Sequence, residues 1–374
     1  MKIISHETVY RDEQYVAFPN FARLSDGRVL LAFRHAAERQ KEYGTHTHVD
    51  PTARIGYIES TDGGKTFGKE FHVILDSPTM SDQDPCLNVL SDGRVIATYF
   101  HWDLAPLGEG PAKWGEENFA RYGRTLHGKY DCFHIGIAYS ISDDNCKTWR
   151  HYPILRMEGL PICSGVRGNI IELPDGDLIM PFYGCLNYGE ANRVGLLKST
   201  DRGETWTHLS VMAFDADHEK QFLEPNIFRT QSGKVVGLFR TQSDFLKPGV
   251  KFSDTYLNLH VSESFDNGAT FRPVKEFDNC WTSSPVHALQ LRSGKVLLSY
   301  GYRKDPFGIR IRVCNGELTD ISESQEIILR DDAPNGDLGY PHAIQLDDGE
   351  ILVSYYISDP DGIRTIAVTR LREE

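Results

Sequence analysis

Apolar and polar positions alternate along this chain in a layout that occurs six times. Each copy has a polar entry, a short apolar run, a glycine turn and a second apolar run, as in FLEPNIFRTQSGKVVGLFR at 222–240. β-Branched and aromatic residues around a corner that glycine turns without strain are typical of a β-hairpin. The pattern therefore predicts six inner hairpins. Their turn glycines are Gly27, Gly93, Gly176, Gly233, Gly294 and Gly349.

The spacing of these hairpins predicts the fold class. The turn glycines lie 55 to 83 residues apart, and a strand-built repeat of that length is typical of a β-propeller with one blade per repeat. We therefore expect an all-β, six-bladed propeller of four-stranded antiparallel blades, forming a single domain over residues 1–374. Residues 2–12 read as a lone strand, and we expect them to pair with 363–371 and so remove a free edge.

A second motif follows the inner hairpins. Ser-x-Asp-x-Gly-x-Thr and then an aromatic residue occurs at 60–67, 199–206 and 264–271, and at 142–149 with Cys146 in the glycine position. The aspartate is suited to accept backbone N–H groups within the turn, and the aromatic ring to pin the hairpin to its blade. We interpret these four Asp-boxes as structural staples, and VCNGELTD from Val313 as a degenerate copy.

Charge and composition argue against several classes of binding partner. The formal net charge of −13 argues against nucleic acid or an anionic membrane as a partner, and the chain lacks an apolar run of about 18 residues that could span a bilayer. The first residues lack the apolar region of a signal peptide. The seven cysteines include no Cys-x-x-Cys pair, so we expect reduced thiols, a cytoplasmic location and no cofactor.

One long connection interrupts the second repeat. Residues 101–131 separate its inner hairpin from its outer strands, and the part 112–122 predicts a short helix. A connection of this length inside a compact repeat is usually a lid or disordered. Trp102 and Trp114 favour a packed lid, and such rings also stack well on sugars. We therefore expect the insertion to face the substrate.

The six hairpins and four Asp-boxes together resemble the sialidase superfamily of glycoside hydrolases over nearly the whole chain. The resemblance implies an exo-acting, retaining enzyme whose nucleophile is a tyrosine instead of a carboxylate. A tyrosine, with an ordinary pKa of about 10, needs a neighbouring base to attack at neutral pH. By position in the repeat, Tyr340 matches the family's nucleophile and Glu224 its base. Asp50, on the loop after the first hairpin, matches the acid/base.

The same resemblance implies residues that bind the substrate. Sialidases grip a carboxylate with three arginines, but the arginine of their Arg-Ile-Pro motif is absent here, where the stretch reads Ala17-Phe18-Pro19. The substrate could therefore be another terminal acidic sugar, or a neutral one. The candidate arginines are Arg34, Arg167, Arg240 and Arg310, with Arg303 and Arg312 as alternatives to Arg310. The other candidates for sugar contacts are His48, Asp84, His287 and His342.

Two other functions are compatible with the pattern. A polysaccharide lyase or a histidine-dependent glycosidase, acting on uronate-containing glycans, would use His287, His342 and Tyr340 for proton transfer. Asp-box propellers also include non-catalytic carbohydrate-binding proteins, which show affinity without turnover. His46 and His48 share a face with Asp50 if that segment is extended, but no matching third ligand accompanies the two histidines. We therefore expect no metal site.

Overall fold

The fold is a ring of six antiparallel sheets, the six-bladed β-propeller that the hairpin pattern predicts. A computed structural model describes residues 1–45, 47–186, 190–243, 247 and 249–374, with the side chains of 252 and 253 not described. Within each blade the main strands run from the hub to the rim in chain order, each antiparallel to the one before it. In blade 6 the rim strand comes from the N-terminus.

The first three blades are built on the inner hairpins of the first three repeats. Before them lies β1 (Lys2–Arg11). Blade 1 contains β2 (Tyr15–Arg23), β3 (Val29–Ala36), β4 (Arg54–Ser60) and β5 (His72–Leu75). Blade 2 contains β6 (Met80–Val89), β7 (Val95–Pro106), β8 (Gly123–Leu126), β9 (Tyr130–Ser142) and β10 (Arg150–Tyr152). Blade 3 contains β11 (Cys163–Gly165), β12 (Ile171–Glu172), β13 (Leu178–Cys185), β14 (Arg193–Ser199) and β15 (Thr207–Ala213).

The last three blades repeat the same order. Blade 4 contains β16 (Lys220–Arg229), β17 (Val235–Ser243), β18 (Asn258–Ser264) and β19 (Lys275–Trp281). Blade 5 contains β20 (His287–Gln290), β21 (Val296–Tyr302), β22 (Gly308–Cys314) and β23 (Glu326–Arg330). Blade 6 contains β24 (Gly339–Gln345), β25 (Ile351–Ser358) and β26 (Arg364–Arg372), and β1 pairs antiparallel with β26 as predicted.

In the part of the chain that the structure describes, helix is confined to short segments between the strands. These are α1 (Gln40–Tyr43), α2 (Gly110–Trp114), α3 (Glu116–Tyr122) and a 3-10 turn (Phe252–Thr255). α2 and α3 lie in the 101–131 insertion, where the indole of Trp114 stacks on Phe119 with centroids 5.8 Å apart. Throughout the described ranges, every helix is too short and too polar to traverse a bilayer.

The Asp-boxes hold the hairpin turns together through side-chain bonds. In the first box, Asp62 accepts hydrogen bonds from the Thr66 backbone N–H (2.9 Å) and hydroxyl (2.7 Å), and the Ser60 hydroxyl accepts from Gly64 N–H (2.8 Å). The Thr66 bonds lower the pKa of the Asp62 carboxyl. Gly268 in the fourth box has φ +89°, and a Cβ there would lie 2.6 Å from Leu196 of the preceding blade. This fourth box therefore favours glycine both for its backbone and for its inter-blade contact, whereas the second box holds Cys146 at the same position with φ 66°.

The blades are tied together at the hub by side chains that accept a backbone N–H of the next blade. Asn20 Oδ1 accepts from Leu87 N–H (2.8 Å), His287 Nδ1 from Ala343 N–H (3.2 Å), and His342 Nδ1 from Phe21 N–H (3.2 Å). An acceptor Nδ1 requires a neutral ring. Burial lowers the pKa of His287 to about 3 and that of His342 well below its usual value.

Because the two hub histidines are buried as neutral rings, we expect the fold to lose stability in acid. Below pH ~6.5 the unfolded chain protonates both rings while the folded chain holds them neutral, so the free energy of unfolding falls by about 1.4 kcal/mol per pH unit for each. The free energy of unfolding begins to fall at the pKa of a histidine in the unfolded chain. It continues to fall until the pH reaches the lowered pKa values of the two histidines in the folded protein. We expect the double variant His287→Asn, His342→Asn to have a lower Tm at pH 7.5 but a shallower decline of Tm between pH 6.5 and 4.5.

Thermal melts at several pH values measure this effect. His127→Asn is the control, because His127 is exposed and removing it should leave the pH dependence of Tm unchanged. Equal pH slopes for wild type and the double variant would assign the acid lability to other groups.

Candidate active site

A β-bulge recurs within the innermost strand of four blades. Phe18, Asp84, Glu224 and Tyr340 each lie nine residues before a turn glycine and directly before a proline. All four have positive φ, between 46° and 61°, and the strand register shifts at each of them. A non-glycine residue in this conformation costs about 1–3 kcal/mol and such residues cluster at functional sites.

These four bulged residues all line one cavity at the mouth of the hub. Its volume is about 340 Å³, at the lower end of the range for small-molecule sites. Tyr183 of blade 3 and His48 of the loop after the first hairpin also line it. The bulges therefore bring together Asp84, Glu224 and Tyr340, which lie in three different repeats.

Tyr340, Glu224 and Arg240 form a buried hydrogen-bonded group on the cavity wall. The Tyr340 hydroxyl donates to Glu224 Oε1. Arg240 Nη1 donates to Glu224 Oε2 (2.6 Å) and lies 3.3 Å from the Tyr340 oxygen. Burial, and then the Glu224 charge, raise the pKa of Tyr340 well above its ordinary value. The phenol is therefore neutral and already aligned with a carboxylate that can take its proton.

Two more arginines pack against the Tyr340 ring. The guanidinium carbons of Arg167 and Arg303 lie 5.3 and 5.7 Å from its centroid. Arg167 donates to the carbonyls of Pro19 (2.8 Å) and Tyr340 (3.1 Å), and Arg303 donates to the Leu338 carbonyl (2.8 Å). These bonds to the protein itself hold the guanidiniums behind the tyrosine, where their charge favours a developing phenolate.

Asp84 is the titratable acid of the cavity. Burial raises its pKa to about 7, with the nearby Glu224 charge adding to the rise and Arg167 opposing it. A carboxyl with this pKa is protonated in a large fraction of molecules at neutral pH, and it exchanges its proton readily there. Of the carboxylates predicted from the sequence, Asp84 therefore has the properties of a general acid/base.

Asp50 is not brought to the cavity wall. Its carboxylate is 1% exposed and is bonded by Arg39 Nε (2.9 Å), Thr52 N–H (2.9 Å) and the Thr52 hydroxyl (2.6 Å). These bonds close the loop after β3, and its neighbours His48 and Val49 reach the cavity instead. The structure thus places Asp50 as a loop anchor, which differs from the acid/base position that the sequence predicts. His46 lies outside the described residues.

The four arginines that the sequence predicts to bind the substrate do not line the cavity. Arg310 lies on β22, packs over the Tyr302 ring at 4.5 Å and donates to the carbonyl of Pro306 (3.2 Å). Arg34 is buried beside the Tyr15 ring at 5.4 Å, without a hydrogen-bond partner among the described residues. Arg303, a weaker candidate from the sequence, is the arginine of blade 5 that reaches Tyr340. Arg167 and Arg240 approach Tyr340, but they bind protein acceptors.

His287 and His342 also lie away from the cavity. Their rings face each other at the hub with centroids 3.8 Å apart, and His342 Nε2 lies 3.0 Å from Asn169 Oδ1. His287 Nδ1 and both ring nitrogens of His342 are engaged by protein groups, His342 Nε2 by Asn169 of blade 3, so these three atoms are not open to proton transfer with a substrate. The structure gives both residues bonds between blades, and their sugar-contact role and the histidine-dependent alternative stay predictions.

The insertion forms one wall of the cavity. In the sequence, only its two tryptophans indicated that it would face the substrate. Trp102 stacks on His134 with centroids 4.7 Å apart and planes 17° apart. The guanidinium carbon of Arg124 lies 4.2 Å from the Trp102 ring, and Tyr122 of α3 completes this side. The cavity is therefore walled on the blade 2 side.

Comparison with known proteins agrees with this architecture. The family model of the BNR repeat-like domain matches residues 119–353. A sialidase of Paraclostridium sordellii is 27% identical over 211 residues, covering 52% of this chain and 46% of the sialidase. The chain thus spans about half the length of that curated relative.

Two solved structures extend the comparison to the whole chain. A protein of unknown function from Dyadobacter fermentans is 31% identical with a TM-score of 0.86, covering 100% of this chain and 99% of that one. The GH93 α-L-arabinofuranosidase of Fusarium graminearum is 14% identical with a TM-score of 0.67, covering 98% and 96%, and shows likeness of fold. Six blades, four Asp-boxes and the matched family model together show that the chain belongs to the sialidase-like superfamily of BNR-repeat β-propellers.

Proposed function

We propose that this protein is a retaining glycoside hydrolase that removes a terminal sugar from a glycan. The observation that carries the proposal is the hydrogen bond from the Tyr340 hydroxyl to Glu224, on the same cavity wall as Asp84. A nucleophile, a base and a separate acid with a pKa of about 7 are the three groups that such a reaction needs. The cavity volume of about 340 Å³ favours a single terminal sugar ring.

The first step forms a covalent intermediate. The Tyr340 oxygen attacks the anomeric carbon while Glu224 takes the phenolic proton, and protonated Asp84 donates its proton to the departing glycosidic oxygen. Arg240 holds the Glu224 carboxylate at 2.6 Å, which orients it toward the phenol. Arg167 and Arg303 stabilise the negative charge that develops on the tyrosine oxygen.

The second step reverses these roles. Asp84, now a carboxylate, takes a proton from a water molecule that attacks the anomeric carbon on the face just vacated. The bond to Tyr340 breaks, and Glu224 returns the proton to the phenolate oxygen. Two displacements give a sugar with the same anomeric configuration as the substrate.

Hydrolysis of a panel of aryl glycosides tests the proposal. The panel contains 4-methylumbelliferyl α-N-acetylneuraminide and both anomers of 4-nitrophenyl glucuronide, glucoside and arabinofuranoside. We expect release of the aryl alcohol from at least one of them, with the first sugar product seen by proton NMR keeping the substrate's configuration. A product of inverted configuration would rule out the tyrosine intermediate, and affinity for the sugars without turnover would assign the protein to the carbohydrate-binding alternative.

A further inference from the structure

Tyr183 reaches the cavity because the strand beside it carries a glycine. Tyr183 lies on β13, and its partner in the strand register is Gly165 of β11. A Cβ at position 165 would lie 2.5, 2.6 and 2.7 Å from the Cζ, hydroxyl oxygen and Cε1 atoms of the phenol. Glycine at this position therefore lets the ring lie across β11. Phe100 of blade 2 meets the ring edge-on, with centroids 6.3 Å apart, and limits its movement.

The hydroxyl of Tyr183 is open to a ligand. Among the described residues three tyrosines line the cavity. The hydroxyl of Tyr340 donates to Glu224, and that of Tyr122 donates to the Leu186 carbonyl (3.1 Å). The Tyr183 hydroxyl has no hydrogen-bond partner within the described ranges. The side chain is partly exposed, and its oxygen is not among the polar atoms that the fold buries without a partner.

The surroundings of the phenol indicate which ligand group fits. Burial, and then the charges of Glu224 and Asp84, raise the pKa of Tyr183 well above its ordinary value, so the hydroxyl keeps its proton at neutral pH. A phenol offers one O–H donor and an acceptor oxygen but no charge. A ligand carboxylate beside it would be repelled by the two protein carboxylates, whereas a sugar hydroxyl accepts the phenol's hydrogen bond without that repulsion.

We propose that Tyr183 is a specificity-determining residue that donates a hydrogen bond to one hydroxyl of the bound sugar. The inference rests on the proposed function, and it assigns the blade 3 side of the cavity to an uncharged hydroxyl of the sugar that Tyr340 attacks. Gly165 is the corresponding positioning residue, since it leaves open the space in which the phenol lies. Both residues act on substrate binding, and neither forms or breaks a covalent bond.

Substrates that each lack one hydroxyl test this contact. The aryl glycoside that wild type cleaves fastest is compared with its monodeoxy analogues, in each of which hydrogen replaces one sugar hydroxyl. We expect Tyr183→Phe to lower kcat/KM about 5- to 100-fold on the parent and on all analogues except one. On that analogue the two proteins should agree within about twofold, because the phenol has lost its partner. Comparing the two proteins on the same substrate cancels the intrinsic reactivity of each deoxy sugar.

Tyr139→Phe is the control for removing a tyrosine hydroxyl. Tyr139 lies on β9 of blade 2, is 3% exposed, and donates to the Glu204 carbonyl (2.8 Å) away from the cavity. This variant should keep kcat/KM within about twofold of wild type on the parent and on every analogue. If Tyr183→Phe shows no loss on the parent, or the same loss on every analogue, the proposed contact is overturned.

Gly165→Ala tests how the phenol is positioned. The added methyl group must displace the Tyr183 ring, so we expect the same selective pattern, with a large loss on the parent and a small one on the single insensitive analogue. Adding Tyr183→Phe to Gly165→Ala should then change kcat/KM on the parent by less than about twofold. A Gly165→Ala enzyme with equal losses on all substrates would show a general disturbance of the fold and would remove the positioning role of Gly165.

A binding measurement separates this inference from the proposed reaction. Titration calorimetry of the aryl glycosides on Tyr340→Phe and on Tyr340→Phe, Tyr183→Phe requires no turnover. We expect at least one glycoside to bind the first protein about 5- to 100-fold more tightly than the second. That result would support the contact even if every glycoside proved inert to wild type. Equal affinities, or no binding to either protein, would refute the contact even if hydrolysis were observed.

Discussion

Tyr340→Phe is expected to lower kcat by roughly 10³-fold or more on every glycoside that the protein cleaves. The substitution removes only the hydroxyl that donates to Glu224. The ring keeps its contacts with Phe18 and Tyr356, at centroid distances of 4.7 and 5.9 Å, so the fold should persist. Glu224→Gln should reduce kcat similarly, because an amide accepts the phenol's hydrogen bond without taking its proton. Steady-state kinetics with far-ultraviolet circular dichroism measures both effects.

Tyr355→Phe provides the control for losing a buried tyrosine hydroxyl. Tyr355 is fully buried in the same blade, and its hydroxyl bonds to Thr369 at 2.8 Å, away from the cavity. This variant should lose about 1 kcal/mol of stability and keep kcat within about twofold. A Tyr340→Phe enzyme with the wild-type rate would remove Tyr340 from the role of nucleophile.

Asp84→Asn is expected to lower kcat/KM by about 10²- to 10⁴-fold on substrates with a poor leaving group. The pKa of Asp84 is about 7, so the acid is available below that pH and is lost as the pH rises through it. Wild-type activity should therefore decline above pH ~7, and this alkaline limb should be absent in Asp84→Asn. A 2,4-dinitrophenyl glycoside needs little protonation of its leaving group and should lose much less rate.

Asp50→Asn gives this experiment a direct comparison, because Asp50 is the acid that family resemblance implies. Its carboxylate is engaged by Arg39 and Thr52, so we expect a loss of stability with a leaving-group dependence like that of wild type. If Asp50→Asn instead shows the leaving-group effect and Asp84→Asn does not, the acid/base assignment returns to Asp50.

The architecture could be predicted because its signals are local and repeated. A glycine turn between two apolar runs, as around Gly233, and a serine, aspartate and threonine at fixed spacing, as at 60–67, are satisfied within a few residues of the chain. Repetition then constrains the whole, since six hairpins of similar length have few ways of packing other than around a common axis. The pairing of β1 with β26 follows from the same argument, because closing the ring leaves those two edges for each other.

The site could be predicted only in part, because equivalent positions in the repeats do not have equivalent surroundings. Counting back nine residues from each turn glycine finds Asp84, Glu224 and Tyr340 at the cavity, but also Arg167, which lies behind Tyr340. The signal that separates them is the following residue: these three, like Phe18, line the cavity and precede proline, whereas Arg167 precedes glycine. Two residues further along, His287 and His342 are directed to the hub.

The chain's own order of residues determines the six hairpins, the Asp-boxes, the closure by the N-terminal strand and the tyrosine and glutamate that meet at the mouth. Those features depend on short-range conformational preferences and on a symmetry that repetition imposes. Tertiary packing alone decided that Asp84 and not Asp50 faces the cavity, that Arg303 and not Arg310 reaches Tyr340, and that the insertion places Arg124 on the wall. Each of these outcomes depends on which side chains of neighbouring blades become the partners of a charge or a hydrogen-bonding group. The spacing of residues along the chain does not show which partners meet in space.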